Sequence, residues 1–242
     1  MDTAANVVVV GPIARDVTVL VDALPEDGAS TLARDAVVAA GGKGGNPASA
    51  VALLGVEVAL LGAVGDDANG EAVLAELADR GVDVAGVRRL HDAPTGHVVH
   101  LVEPGGRRRY IEHPGANAHL TLGVGAVVER CSLDSYVLIS TALPRQAAEV
   151  AAAAARAADA IVCVDASGAS ETVHAILTDT TILRCDAGEA EALTGSRPRD
   201  LDAAVAVARE ILARGPSIVV VGADDGDVVV SEDAELRIPH QP

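Results

Sequence analysis

Buried strands alternating with helices predict an α/β protein built on a parallel-dominated central sheet sandwiched by helices. Three observations carry this. Short β-branched runs such as "NVVVVG" (6–11), "SYVLIS" (135–140) and "SIVVVGA" (217–223) lack the polar alternation of half-exposed strands. Amphipathic stretches with helix start and stop signals lie between them. Half of the 242 residues are hydrophobic, yet there is no Phe or Trp and only Tyr110 and Tyr136, so the core must be Val, Leu, Ile and Ala.

Along the chain, "NVVVVG" opens as a buried strand. "VTVLVDALPEDG" (17–28) and "TLARDAVVAA" (31–40) are two-sided, partly exposed strands with a turn between them. From Gly44 to Gly55 the spacing of Ala48, Val51, Ala52 and Leu54 predicts a helix closed by Gly. "VEVALLGAVG" (56–65) reads as one buried strand. "DANGEAVLAELADRG" (67–81) is a helix with an acidic start and a Gly stop. "TGHVVHLVEPGGRRRYIE" (95–112) is a second irregular β piece turning at "EPGG". From 135 onward the rhythm is regular. "SYVLIS", "AIVCVDA" (160–166), "TTILRC" (180–185) and "SIVVVGA" are strands, with helices between them, and "DVVVSEDAELRIP" (227–239) is a closing hairpin. The β pieces near 14–40 and 95–112 break the βα rhythm and predict a small sheet standing off a single domain of residues 1–242.

The formal charge of −17 and pI near 4.6 argue against a nucleic-acid backbone or an anionic membrane as partner. Cys131, Cys163 and Cys185 are odd in number and lack metal-type spacing, so they read as buried thiols in a reducing cytosol. The acidic N-terminus and the absence of a long uncharged apolar run predict a soluble, cytoplasmic protein. His97 and His100, three apart on a strand, face opposite sides and cannot share a metal.

The glycine-rich stretch "GGKGGNPASA" (41–50) carries the chemistry. It fails the P-loop pattern, because Lys43 is followed by Gly44, and it fails the dinucleotide fingerprint, whose last glycine is Pro47. It remains a helix start where backbone N–H groups, the Lys43 ammonium and the Asn46 amide converge, a set suited to hydroxyl groups. A plain helix start with Asn46 as its cap explains the same residues.

Residues 39–83, "AAGGKGGNPASAVALLGVEVALLGAVGDDANGEAVLAELADRGVD", resemble the N-terminal motif region of the ribokinase family, the PfkB-type carbohydrate kinases. "VVVVGPIARDV" is similar to that family's opening strand, residues 95–121 to its lid strands and G-A-N turn, and "DAGEAEALTG" to its N-x-x-E segment. The resemblance implies a ribokinase-like fold with a β-sheet lid and ATP-dependent phosphorylation of a hydroxyl on a small sugar, with a nucleoside as the alternative substrate class. It assigns Asp16, Gly42, Lys43 and Asn46 to the sugar. Asp186, Glu189 and Gly226 fall to the nucleotide, Glu189 also to Mg²⁺, if need be through water. Separately, lid strands with exposed edges invite pairing between two copies of the chain, so a homodimer through the lid is an expectation. Asn117 reads as turn chemistry rather than a contact.

Three departures qualify the resemblance. Ala14 and Ala142 stand where ribose-type members often carry Asn and Glu, which puts ribose itself in doubt. Asp186 replaces the usual Asn. Residues 1–242 contain no G-A-G-D segment, the family's source of the catalytic base and anion hole. No catalytic residue is therefore assigned within them, and the base is expected to lie beyond Pro242. The expectation is a C-terminally incomplete kinase, inactive as these 242 residues alone. The rival expectation is a non-catalytic sugar-binding or regulatory protein.

Overall fold

The computed structural model describes residues 6–132 and 134–240. Pro242, beyond which the resemblance puts the catalytic base, lies outside the described residues. In chain order the strands and helices are β1 (Val7–Val10), β2 (Ala14–Val21), β3 (Ala33–Gly41), α1 (Gly42–Leu53), β4 (Val58–Leu61), β5 (Ala63–Gly65), α2 (Ala68–Asp79), β6 (Arg88–Leu90), β7 (Gly96–Val102) and β8 (Arg108–His113). There follow α3 (Val124–Val128), β9 (Tyr136–Ser140), α4 (Arg145–Ala157), β10 (Ile161–Asp165), α5 (Ser170–Ile176), β11 (Ile182–Cys185), α6 (Ala187–Thr194), α7 (Leu201–Leu212), β12 (Ile218–Ala223), β13 (Gly226–Ser231) and β14 (Glu235–Pro239). The chain divides into two compact units: Gly11–Leu120, and the residues up to Val10 with those from Thr121 onward.

In the second of these units the strands run in the order β14-β13-β12-β11-β10-β9-β1. From β1 to β12 the pairings are parallel, and β13 and β14 are antiparallel additions. Parallel strands need crossovers, and α4 to α7 supply them while burying the sheet. The core is the predicted aliphatic one: Val8, Val9, Val10, Ile139, Leu183 and Ile211 are fully buried, and α4 buries Ala147, Ala148, Ala151, Ala152, Ala154 and Ala155, all small side chains. Cys185 is buried and Cys131 and Cys163 half-buried, and all three are free thiols. Burial alone pushes Cys163 up to about 11, and Cys185, where the Glu189 charge adds to burial, up to about 12. Neither is a thiolate nucleophile at neutral pH.

The Gly11–Leu120 unit holds a four-stranded sheet in the order β3-β2-β7-β8, the predicted lid strands. β2 pairs antiparallel with β3 and parallel with β7, and β7 pairs antiparallel with β8. Two boundaries differ from the sequence reading. "VEVALLGAVG" breaks at Gly62, where a side chain would collide with Ile13 and the Gly11 carbonyl, and its second half pairs instead with β6. The helix after the glycine run begins at Gly42, two residues early, and α3 and β6 carry no clear sequence signal. Among the described residues, no helix is long and apolar enough to cross a membrane.

Candidate functional site

Within the Gly11–Leu120 unit, β3 runs into α1 through the glycine stretch. Gly42 has φ of 90°, and a Cβ there would also meet the Pro12 carbonyl at 2.5 Å. Gly44 lies so close to Gly11 that a Cβ would sit 2.6 Å from backbone atoms, and its N–H donates to Pro12 O at 2.8 Å. Glycine is therefore required twice for the chain to start a helix this tightly against the 11–13 turn. The N-cap is Gly41, without a side-chain cap bond, and Asn46 lies inside the helix, exposed. This corrects the cap reading of Asn46: backbone geometry starts the helix before Asn46 is reached. Lys43 and Asn46 are both exposed at this helix start.

Asp16, on β2, places its carboxylate directly against Gly41. Its side chain is 17% exposed, and Oδ1 is buried with no hydrogen-bond partner. Burial raises the Asp16 pKa, while His100, the Gly42 N–H and the Asn46 amide pull the other way without cancelling it. The structure thus brings together Asp16, Gly42 and Asn46 of the four predicted sugar residues, with Lys43 between the latter two in sequence.

Three supports escaped the sequence reading. Glu76 of α2 accepts from Arg15, the neighbour of Asp16, and from the Ala40 N–H at 2.7 Å, the residue before Gly41. Burial would raise its pKa, but Arg15, the Ala40 N–H and Arg80 together hold it below the usual carboxylate range. Asn117 is 4% exposed: Oδ1 accepts the Ile13 N–H at 2.9 Å, and Nδ2 donates to the carbonyls of Ile13 at 2.8 Å and Pro114 at 2.9 Å. It clasps the turn against which Gly44 packs, which deepens its turn-chemistry reading. His100 of β7 places Nε2 3.5 Å from Asp16 Oδ2. Strand alternation separates it from His97, but only the β2–β7 register puts it beside Asp16.

In the other unit, Asp186 is the N-cap of α6. It accepts the Glu189 N–H at 2.8 Å, and Glu189 accepts the Asp186 N–H at 2.7 Å, a complete capping box. Arg184 Nη1 lies 3.4 Å from Glu189 Oε2 and 3.3 Å from Asp165 Oδ1. Burial, together with the Asp186 and Asp165 charges, keeps the Glu189 carboxyl above its usual range despite the Asp186 N–H and Arg184. Gly226 is buried where β13 meets β14, and a Cβ would strike Ile238 O at 2.4 Å, so its lack of a side chain has a structural reason. Among the described residues, no three His, Cys, Asp or Glu side chains gather as a metal site. Single oxygen donors of this kind fit a water-mediated contact to magnesium carried on phosphates, not a preformed protein cage.

The pfkB family carbohydrate kinase profile matches residues 4–242. Ribokinase of Haemophilus influenzae is 27% identical over 231 residues, 95% of this chain and 76% of that protein. Ribokinase of Schizosaccharomyces pombe is 33% identical over 153 residues, 60% of this chain and 48% of that protein, so this match spans about half of the relative. The solved structure of Arabidopsis thaliana ribokinase complexed with ribose and ATP is similar with a TM-score of 0.83 at 25% identity, over 99% of this chain and 79% of that one.

Proposed function

Because the chain belongs to the pfkB carbohydrate kinase family, we propose that it derives from an enzyme that transfers the γ-phosphoryl group of ATP to a hydroxyl of a small sugar, and that the glycine turn with Asp16 is its sugar site. The observation that carries this is the unpartnered, buried Asp16 Oδ1 beside a helix start presenting Lys43 and Asn46. A buried carboxylate oxygen without a partner is unfavourable by about 1–3 kcal/mol or more, and a sugar hydroxyl donating to it removes that penalty. Asp16 orients the sugar, Lys43 donates to its hydroxyls, and Asn46 both donates and accepts. The rigid Gly41–Gly44 backbone fixes their geometry, which is what phosphoryl transfer demands of a protein.

ATP with Mg²⁺ supplies the transferred group and neutralises its charge. Asp186, Glu189 and Gly226 are the nucleotide-side residues of this reading, with Glu189 reaching the metal through water. The relatives' names point to ribose or a related pentose. Ala14, a methyl group where ribose-type members often carry Asn, favours a substrate that asks less of that position. A nucleoside is the second class to test. The exposed Val37, Val38, Tyr110 and Ile111 of the lid sheet suit a second copy of the chain, and the mass from light scattering tests such a dimer.

Residues 1–242 are expected to bind sugar without turnover, since no G-A-G-D segment occurs in them. The decisive experiment titrates this chain with pentoses, hexoses and nucleosides in a calorimeter, and assays ATP consumption with the same panel. Binding that disappears in Asp16→Ala supports the site. Robust sugar-dependent ATP consumption by these residues would place the catalytic machinery elsewhere than proposed, and no binding to any member of the panel would overturn the sugar site itself.

A further inference from the structure

His97 and His100 lie on the same strand and are treated very differently by the fold. Both ring nitrogens of His97 are engaged: Nδ1 is 2.8 Å from Thr95 O and Nε2 is 3.2 Å from Asn69 Nδ2. Since a carbonyl can only accept, Nδ1 carries the proton and Nε2 accepts from the Asn69 amide. His97 is a structural histidine. His100 Nε2, by contrast, is buried and has no hydrogen-bond partner. The polar group facing it is Asp16, 3.5 Å away, too far for a good hydrogen bond, and Asp16 Oδ1 is likewise buried and unpartnered. Tyr110 packs edge-on against the imidazole, with centroids 5.0 Å apart and planes at 83°, which fixes the ring through packing. In the β2–β7 and β7–β8 registers, Thr18, His100 and Tyr110 lie side by side on the face that also carries Asp16.

We propose that His100 is a specificity-determining residue which, together with Asp16, recognises a single ligand hydroxyl: the hydroxyl donates to Asp16 Oδ1 and accepts from His100 Nε2–H. The inference rests on the sugar-site reading of Asp16. It follows from satisfiability. A buried acceptor and a buried nitrogen, each without a partner and close to one another, are both satisfied by one group that can donate and accept, and a hydroxyl is the smallest such group. Sites built around such paired buried groups reject analogues that lack the hydroxyl, because such an analogue leaves both groups unsatisfied. His100 thereby supplies a polar contact on a site whose Ala14 offers none.

The test is calorimetric titration of the chain, of His100→Leu and of His100→Gln with D-ribose and adenosine, and with the 2-deoxy and 3-deoxy analogue of whichever binds. His100→Leu should weaken binding of the parent ligand about tenfold, the value of one such hydrogen bond. The analogue lacking the shared hydroxyl should bind the chain and His100→Leu within about twofold of each other, a difference well below the value of one hydrogen bond. His100→Gln, which keeps an N–H donor, should recover part of the loss, and it serves as the test if His100→Leu fails to fold. Parent affinity unchanged in both variants, or an equal loss for parent and both analogues, overturns the role of His100. If Asp16→Ala still abolishes binding in that case, the sugar site stands without it. If neither D-ribose nor adenosine binds the unaltered chain, the Asp16 reading falls and this inference with it.

Discussion

The carboxylates of the two units are in opposite situations. In the Gly11–Leu120 unit, Asp16 is buried with one oxygen unpartnered, and His100 beside it has a nitrogen in the same condition. In the other unit, Asp186 and Glu189 satisfy one another's backbone N–H groups, and Arg184 lies near both Glu189 and Asp165. One group has polar capacity that the fold leaves unfilled, and the other is already in use by the fold. The contrast teaches that an acidic residue at a motif position is not by itself a binding group: what marks a site is polar capacity that the protein's own atoms leave unfilled.

The largest effect should come from breaking the unfilled side. Asp16→Ala is expected to weaken sugar binding by on the order of a hundredfold, as loss of charge-assisted hydrogen bonds predicts. Asp16→Asn should lose affinity too, yet be at least as stable as the unaltered chain at neutral pH. The sign follows from the raised Asp16 pKa: a folded state that favours the protonated acid is penalised for its ionised form at higher pH. Thermal melts of Asp16→Asn showing a clear loss of stability at pH 7 would mean that the carboxylate is structural after all.

Next in size is the clasp. Asn117→Ala should destabilise the protein by about 2 kcal/mol, because it leaves the N–H and carbonyl of buried Ile13 unpaired. Urea unfolding measures it, and a change below about 1 kcal/mol would show that the 11–13 turn holds itself.

Glu76→Gln should cost about 1–2 kcal/mol by weakening the bonds to Arg15 and the Ala40 N–H. It should also flatten the acid limb of the stability curve. Because the folded Glu76 pKa is depressed, its contribution is present above the usual 4.5 and is lost as pH falls through the folded value. Identical acid limbs in the two proteins would remove Glu76 from the support of the site.

The smallest effect tests the satisfied side. Glu189→Ala should lower stability by about 1 kcal/mol, the value of a helix cap. If Mg·ATP affinity is unchanged in a chain that binds it, Glu189 is a capping residue and nothing more.

How much of this was legible in the sequence follows from range. The strands from "SYVLIS" to "SIVVVGA" and the helices between them are written in local periodicity, and they occur where periodicity puts them. The lid strands are legible as two-sided β pieces, and Asp16, Lys43 and Asn46 as motif positions. The start of α1 was misplaced because it depends on Pro12 O and Gly11, residues on a distant turn. The roles of Glu76 and Asn117 as supports escape local reading for the same reason: the pattern around each is that of an ordinary helix or turn, and the residues they hold beside the site, Ala40 and Ile13, lie 36 and 104 positions away. His100 needed the β2–β7 register, which no alternation pattern specifies.

The Asn117–Ile13 clasp joins residues 104 positions apart. Chain closure over such a span is an entropic obstacle that local helices such as α2 and α6 never meet, and topologies rich in distant pairings assemble slowly. The 11–13 turn that backs the glycine run is therefore expected to become fixed late as the chain folds. A ligand that binds only the finished site would then act as a latch on a late event, slowing unfolding more than it speeds folding.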